Sequence, residues 1–281
     1  METASPVSSQ ECLYLYGILR YCPLELSGLR GMEGCCDVSL AGYRELACAV
    51  SPVPLSEYTQ ESMEAHERQL EWVAPRAVRH QQVVQWLWQA VPVIPLKFGT
   101  LCSSLEKARE LLERHYEALL RLLDLFRGRE EWGIRIYVDE ALAARAAERS
   151  TPEPRQCAPL SEGQAYFLRK NRQRRVDEHQ RMQLAELAEQ IYGHLLAHAV
   201  EGRKSRSLNA SPEGAGLLLL SAAFLVEQQG LPALEDPAAQ LEAKYRDYGV
   251  RVELSGPWPP YSFCEELAAE PAGAAREPCG D

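Results

Sequence analysis

The chain has 281 residues, of which 46% are hydrophobic and 25% are charged. This composition is typical of a folded protein of about two domains and excludes general disorder. The formal net charge is −10, from 30 lysines and arginines against 40 aspartates and glutamates. A chain this acidic is disfavoured as a partner of nucleic acid or of anionic membranes, because both attract positive fields.

The sequence carries no sign of a membrane or secreted protein. Its longest apolar run, residues 215–226, is interrupted by Gly216 and Ser221 and is shorter than the roughly 20 residues that a bilayer requires. The first ten residues lack the basic and apolar regions of a secretory signal. The nine cysteines have no regular spacing, so we interpret them as reduced thiols. We therefore expect a cytoplasmic protein without a membrane partner.

The first half of the chain mixes strand and helix patterns. Runs of aromatic and β-branched residues predict strands, and apolar residues at intervals of three or four predict helices. The predicted elements, in chain order, are a polar, mobile start over 1–10, a strand over 13–19, a hairpin over 38–50 that turns at Ala41 and Gly42, a helix over 57–90 that breaks at Pro75, a proline-containing strand over 91–100, and a helix that Ser103 or Ser104 caps and that ends at Gly128.

The second half repeats this mixture around one long helix. The predicted elements are a strand over 132–138, a loop over 151–159, a helix over 161–200, strands over 203–210 and 217–226, a helix over 232–248 and a strand over 250–254. The leucines and alanines of 217–226 favour a helix, and only the position of this segment favours a strand. At 1.5 Å per residue the long helix would span roughly 60 Å, so we expect part of it to stand clear of its domain.

These elements predict an α+β fold of two domains. Residues 11–129 would form a modified α+β sandwich. The order β-α-β-β-α-β over 130–256 predicts a ferredoxin-like domain. Residues 257–281 would form a proline- and aromatic-rich segment followed by a tail.

The octamer at 256–263 contains three prolines, one glycine and three aromatic side chains. Proline fixes φ and removes a backbone donor, so this segment cannot be an ordinary helix or a central strand. Its aromatic residues, Trp258, Tyr261 and Phe263, either cover the protein's own core or form an exposed apolar patch for a partner. The sequence leaves both interpretations open.

Four segments carry a family resemblance. An aromatic strand ending in Tyr-Gly lies at 13–18, a strand with the pattern Pro-x-x-Phe-Gly-Thr at 93–100, a helix start with Gly-x-x-Tyr at 163–170, and the octamer at 256–263. Together they resemble the gas vesicle protein GvpF/GvpL family, although Phe167 stands where that family often has leucine. The resemblance implies a protein needed to build the hollow, gas-filled shells that make cells buoyant.

The resemblance also implies a partner and a place of action. It implies an assembly factor or minor shell component that contacts the small, apolar shell subunit of the GvpA type and other gas vesicle accessory proteins. It implies no catalytic residue, no cofactor and no metal, and it places the protein at the gas vesicle or in the cytoplasm. The matching segments supply these candidate partner-binding residues: Pro95, Phe98, Tyr166, Arg169, Lys170, Trp258, Pro260, Tyr261 and Phe263.

Five cations fall within seven residues of the predicted long helix. They are Arg169, Lys170, Arg172, Arg174 and Arg175. Their spacing distributes them around most of the helix, and two carboxylates follow at Asp177 and Glu178. They form either a solvated helix segment or a surface for an acidic protein partner.

Other groups of reactive residues predict no chemistry. His194 and His198 are spaced to face one metal ion, but the sequence offers no obvious third ligand. Cys35 and Cys36 are adjacent, which is not the spacing of a C-x-x-C zinc or redox site. The nucleophile-elbow and P-loop motifs are missing, so we do not expect an enzyme. The alternative function is that of a ferredoxin-like ligand-binding or regulatory module with a pocket between the two domains, since such folds serve many functions.

Overall fold

The computed structural model describes residues 10–66, 68–150, 162–205, 216–228 and 231–264. They have a mixed α/β architecture with two β-sheets. The chain divides into two compact units, one that runs to Glu130 and resumes at Trp258, and one that covers Glu131–Pro257. Each unit has its own sheet and its own hydrophobic core.

The first unit combines five strands with four helices. In chain order its described elements are β1 (Glu11–Arg20), β2 (Ser39–Tyr43), β3 (Leu46–Pro54), α1 (Gln60–His66), α2 (Leu70–Ala90), β4 (Val93–Pro95), β5 (Leu101–Cys102), α3 (Leu105–Arg114) and α4 (Tyr116–Phe126). The strand order is β2-β3-β1-β4, and β5 also pairs with β1. All of these pairs are antiparallel.

Strand β1 forms the centre of the first unit. Its residues 12–19 are all buried, because neighbouring strands and helices cover both of its faces. The pairing of β1 with β3 shifts by one residue between Leu15 and Gly17, which is a β-bulge. A Cβ atom on Gly17 would lie 2.7 Å from Cγ2 of Val93. The glycine of the Tyr-Gly pair, which lies within β1, therefore permits the close approach of β4.

Several boundaries in the first unit differ from the sequence prediction. The hairpin turns at Arg44 and Glu45, because Ala41 and Gly42 both lie within β2. Helix α2 continues through Pro75, since a proline near the start of a helix interrupts only one backbone hydrogen bond there. The break falls instead between α1 and α2.

The segment after α2 is also less regular than predicted. Of residues 91–100 only Val93–Pro95 form a strand, and the chain then turns at Gly99, whose φ is +82°. The predicted single helix after Ser104 is two helices that meet at His115. The cap itself is confirmed, because the Ser104 hydroxyl accepts a hydrogen bond from the Lys107 backbone amide at 3.3 Å.

The second unit has four strands and three helices. Its described elements are β6 (Arg129–Val138), α5 (Glu140–Ser150), α6 (Glu162–Leu196), β7 (Glu201–Lys204), β8 (Leu217–Glu227), α7 (Leu231–Lys244) and β9 (Arg251–Trp258). The strand order is β7-β8-β6-β9, so β9 forms an edge. Apolar side chains of β6, β8 and α6 share one core.

Strand β8 confirms the prediction made from position against helix propensity. Its central residues pack between β7 and β6, where tertiary contacts outweigh the preference of leucine and alanine for helices. Strand β7 begins two residues earlier than predicted and ends at Lys204. Positions 206–210 of the predicted strand lie outside the described residues, as does the predicted loop at 151–159. Strand β9 extends to Trp258, and α5 was not predicted. In the described ranges, no helix combines the length and the apolar character that crossing a bilayer needs.

Candidate functional site

A buried histidine connects several of the family-like segments of the first unit. His80 lies on α2 and is only 3% exposed. Its Nε2 atom is 3.1 Å from the carbonyl oxygen of Leu96, and its Nδ1 atom is 3.0 Å from the hydroxyl of Tyr14. Because a carbonyl oxygen can only accept, the Nε2–H group donates to Leu96. The Nδ1 atom then accepts from Tyr14.

The Tyr14 hydroxyl has a second partner. It accepts a hydrogen bond from the backbone amide of Gly99 at 2.9 Å. Both polar ends of the Tyr14–His80 pair are therefore satisfied inside the core. Burial lowers the pKa of His80 to about 4, and burial raises the pKa of the Tyr14 hydroxyl well above its usual range. Both side chains are neutral near pH 7.

Aromatic rings enclose His80. Tyr16 stacks on its imidazole with ring centroids 5.9 Å apart, and Phe98 meets the imidazole edge-on at the same distance. Tyr261 donates from its hydroxyl to the Gln81 side-chain oxygen at 3.2 Å and lies 3.4 Å from the His80 Nε2 atom. The aromatic strand, the Pro-x-x-Phe-Gly-Thr segment and the octamer therefore meet at one imidazole.

An ion network lies beside this cluster. The Arg76 guanidinium donates to the Tyr58 hydroxyl at 3.0 Å and to the Glu57 carboxylate at 2.9 Å, and it also pairs with Glu33. It lies 4.1 Å from the centre of the Trp72 ring, which is a cation–π geometry. Each charge in this half-buried network has an opposite charge or an aromatic face beside it. The network therefore joins Glu33, Glu57 and Tyr58 to helix α2.

Neither His80 nor the Arg76 network is marked by a sequence motif. His80 is 66 residues from Tyr14 and 181 residues from Tyr261 along the chain. A local spacing pattern in the sequence cannot reveal contacts between residues that are so far apart along the chain. The only sequence signal for this contact is indirect. A histidine on the inner face of an amphipathic helix needs polar partners in the core.

The structure divides the octamer between core and surface. Pro260 is buried, Phe263 is 1% exposed, and Tyr261 is half-buried and hydrogen-bonded. Trp258, at the end of β9, keeps 45% of its surface exposed. Among the candidates of the other strand segment, Pro95 is buried and Phe98 is half-buried. These side chains, apart from Trp258, are buried or half-buried within the first unit.

The start of α6 has the opposite environment. From Tyr166 to Arg175, every residue whose side chain is described is exposed, including the candidates Tyr166 and Lys170. The helix first reaches the core at Val176, and from there buried residues recur along one face to Leu195. This stretch of about ten residues, which we call the exposed α6 segment (residues 166–175), spans roughly 15 Å of helix.

The exposed α6 segment combines apolar and basic side chains. Tyr166 and Phe167 contact each other edge-on, with ring centroids 6.2 Å apart, and Phe167 is 67% exposed. Leu168 is also exposed. The cations noted in the sequence all lie within this segment, although the side chain of Arg169 lies outside what is described. Large apolar side chains grouped on a surface mark interaction sites.

The remaining candidates form no site within the described ranges. His194 and His198 are exposed neighbours with ring centroids 5.5 Å apart, and no group of three metal-ligating side chains was found among the described residues. The sulfur atoms of Cys35 and Cys36 are 3.7 Å apart, and the seven cysteines in the described ranges are all free thiols.

Comparison with known proteins decides the family. The family model for the gas vesicle synthesis protein GvpL/GvpF matches residues 12–265. The chain belongs to the GvpL/GvpF family. It is 28% identical to gas vesicle protein L of Streptomyces sp. (strain CB03234) over 275 residues, which cover 96% of this chain and all of that protein. It is 24% identical to gas vesicle protein F1 of Halobacterium salinarum, over 95% of this chain and 99% of that protein.

A solved structure of the family has a similar fold. The crystal structure of gas vesicle protein GvpF from Anabaena sp. PCC7120 superposes with a TM-score of 0.65 at 17% identity, covering 90% of this chain and 96% of that one. The family resemblance predicted from the four sequence segments is confirmed. Membership supports a role in gas vesicle assembly.

Proposed function

We propose that this GvpL/GvpF protein binds the small, apolar shell subunit of the GvpA type during gas vesicle formation. A subunit that is apolar on its gas-facing side aggregates when that side meets water. A protein that covers this side keeps the subunit available for assembly. The family supports the assembly role, and the choice of the shell subunit as the partner is the proposal.

The exposed start of α6 is the observation that carries this proposal. Tyr166, Phe167 and Leu168 present three adjacent large apolar side chains to solvent. Their burial against an apolar partner would remove this surface from water, at about 25 cal/mol for each Å². Tyr166 and Lys170 therefore remain binding candidates, and Arg169 remains one by its position in the same segment. Trp258 is a further candidate because its ring is also half exposed.

The buried and half-buried candidates receive a different role in this proposal. Pro95, Phe98, Pro260, Tyr261 and Phe263 would hold the first unit together and would not touch the partner. Their burial and the hydrogen bond of Tyr261 support this division.

We also infer that the second unit is a ferredoxin-like domain and that the two compact units are separate domains. The order of elements β6, α6, β7, β8, α7 and β9 supports the first inference, with α5 as an addition before α6. In this division the boundaries near residues 129 and 257 follow the limits of the units, and the residues from Trp258 onward belong with the first domain.

Co-purification with the shell subunit tests the proposed function. The double variant Tyr166→Ser, Phe167→Ser is co-expressed with a tagged shell subunit, and the amount of each protein in the soluble complex is measured. Met182→Ser is the matched control, because Met182 is an exposed apolar residue on the same helix. We expect the double variant to lose most of the complex while the control keeps it. Equal recovery of both variants would contradict the proposed surface.

A further inference from the structure

A second surface of the chain complements the exposed α6 segment. Leu70, at the start of α2, is 77% exposed and is the most exposed large apolar residue in the described ranges. Val78, two turns further along α2, is 57% exposed. Glu71, Ala74 and Pro75 are exposed between them. Positions 71, 74, 75 and 78 share one side of α2 because they are three or four residues apart.

These four residues, which we call the α2 stripe (Glu71, Ala74, Pro75 and Val78), have an acidic end and an apolar end. Glu71 lies at its N-terminal end and Val78 at its C-terminal end. The two ends are seven residues apart, which is roughly 10 Å along the helix axis. The four side chains are all exposed, so this face of α2 is accessible to a partner.

One side of the exposed α6 segment has the opposite arrangement over the same length. Leu168, Arg172 and Arg175 are spaced four and three residues apart, so they share one side of α6. The apolar residue lies at the N-terminal end and the cations lie toward the C-terminal end. Leu168 and Arg175 are again seven residues apart, as Glu71 and Val78 are.

The two stripes match when the helices run antiparallel. In that orientation Leu168 faces Val78, Arg175 faces Glu71, and Arg172 lies over the small surface of Ala74 and Pro75. We propose that the exposed α6 segment of one copy of this protein docks antiparallel on the α2 stripe of a second copy. The contact joins unlike surfaces, so it is either reciprocated within a pair or repeated along a chain of copies.

A second copy is the occupant that the charges favour. The chain as a whole has a net charge of −10, so its basic α6 segment is the exception on an acidic protein. A second copy therefore offers a predominantly acidic surface to this segment, and Arg175 of one copy and Glu71 of the other are the opposite charges that lie across the contact.

Charge reversal with purified protein tests this self-association without the shell subunit, so its outcome is independent of the proposed function. Sedimentation velocity is measured at protein concentrations up to about 0.5 mM, since small contacts of this kind bind weakly. We expect the unmodified protein to associate with increasing concentration. Arg175→Glu and Glu71→Arg should each weaken the association about tenfold, since each places like charges across the contact. Arg121→Glu, an exposed arginine on α4, makes the same change of charge elsewhere and should have no effect.

A mixture of the two variants gives the decisive test of the proposed contact. Each variant alone places like charges at positions 175 and 71, whereas a mixture can pair the new carboxylate at position 175 of one variant with the new guanidinium at position 71 of the other, and Arg175 with Glu71. We expect the mixture to regain association to near the level of the unmodified protein. The apolar end is tested separately by Val78→Asp, which should also abolish association while the melting temperature stays unchanged. A monomeric unmodified protein, or variants that associate as it does, or a mixture that stays monomeric, would each overturn the proposal.

Discussion

The surroundings of His80 and the start of α6 contain similar residues in opposite environments. Both carry tyrosine, phenylalanine and positively charged neighbours, and both belong to segments that resemble the gas vesicle family. Tyr14 and Tyr16 are buried, whereas Tyr166 and Phe167 are exposed. The difference teaches that an aromatic family motif does not by itself mark a binding surface. Burial separates residues that hold the fold from residues that are available to a partner.

The comparison predicts that the two regions respond differently to substitution. Changes around His80 should lower the free energy of unfolding. They should affect gas vesicle assembly only by reducing the amount of folded protein. Changes in the exposed α6 segment should leave stability nearly unchanged and should affect binding directly. The expected loss of stability is largest at the buried end of the octamer and smallest at the surface of α6.

Truncation of Phe263 should have the largest effect on stability. Phe263→Ala removes a ring that is almost fully buried, so the free energy of unfolding should fall by about 3–5 kcal/mol. Trp258→Ala, in the same octamer, should cost about 1 kcal/mol or less, because the Trp258 ring is half exposed. Urea unfolding of both variants measures the difference. Equal losses would mean that the octamer acts as one packed unit and that Trp258 is not available to a partner.

Acid should destabilise the protein through His80. The pKa of His80 in the folded state is about 4, below its ordinary value of 6.5, because burial disfavours the imidazolium. The unfolded chain therefore takes up this proton first as the pH falls. Above pH 6.5 the histidine is neutral in both states and does not affect the free energy of unfolding. As the pH falls from 6.5 to 4, protonation of the unfolded chain lowers the free energy of unfolding by about 3 kcal/mol.

Denaturant unfolding between pH 7.5 and pH 4 measures this loss. Comparison with His80→Gln, which cannot titrate, isolates the histidine from the carboxylates that also protonate in acid. We expect the stability of the variant to vary less with pH than that of the unmodified protein over this window. Parallel pH profiles for the two proteins would show that His80 is not desolvated in the native state.

Removal of the Tyr14 hydroxyl should have an intermediate effect. Tyr14→Phe keeps the ring but leaves the His80 Nδ1 atom and the Gly99 amide without their hydrogen-bond partner. An unsatisfied buried polar group costs about 1–3 kcal/mol, so a thermal shift of several degrees is expected. Tyr43→Phe, which removes a hydroxyl from an exposed hydrogen bond to Glu113, is the control and should shift the melting temperature little.

Substitution on the exposed α6 segment should have the smallest effect on stability. Tyr166→Ser with Phe167→Ser should change the free energy of unfolding by about 0.5 kcal/mol or less, because neither side chain packs against the core. Calorimetry of the purified variant checks this. A loss of several kcal/mol would mean that these rings are buried in the native protein and would remove the contrast with His80.

The sequence predicted the features that depend on local pattern. The apolar runs of β1 and β8 and the capping serine at Ser104 are visible in the sequence, and the structure confirms them. The length of the helix predicted that part of it stands clear of its domain, and the described side chains of residues 166–175 are exposed in the structure. Of the octamer, the sequence left open whether the aromatic rings cover the core.

The features that the sequence did not predict depend on contacts between residues that are distant along the chain. Gly42 was mistaken for a turn, because its lack of a side chain serves the packing of the Tyr21 ring, which a Cβ atom would approach to 3.2 Å. The break at His115 carries neither proline nor glycine. The position of His80 between Tyr14, Leu96 and Tyr261 follows only from the folding of α2 against the first sheet.

Site-specific cross-linking tests the proposed role of the exposed α6 segment most directly. A photo-crosslinking phenylalanine analogue is introduced at position 167 and, separately, at the exposed position 182 of the same helix, in cells that are forming gas vesicles. We predict an adduct with the small shell subunit from position 167 and none from position 182. Absence of this adduct from position 167, with an adduct formed from position 182, would contradict the assignment of the start of α6 as the binding surface.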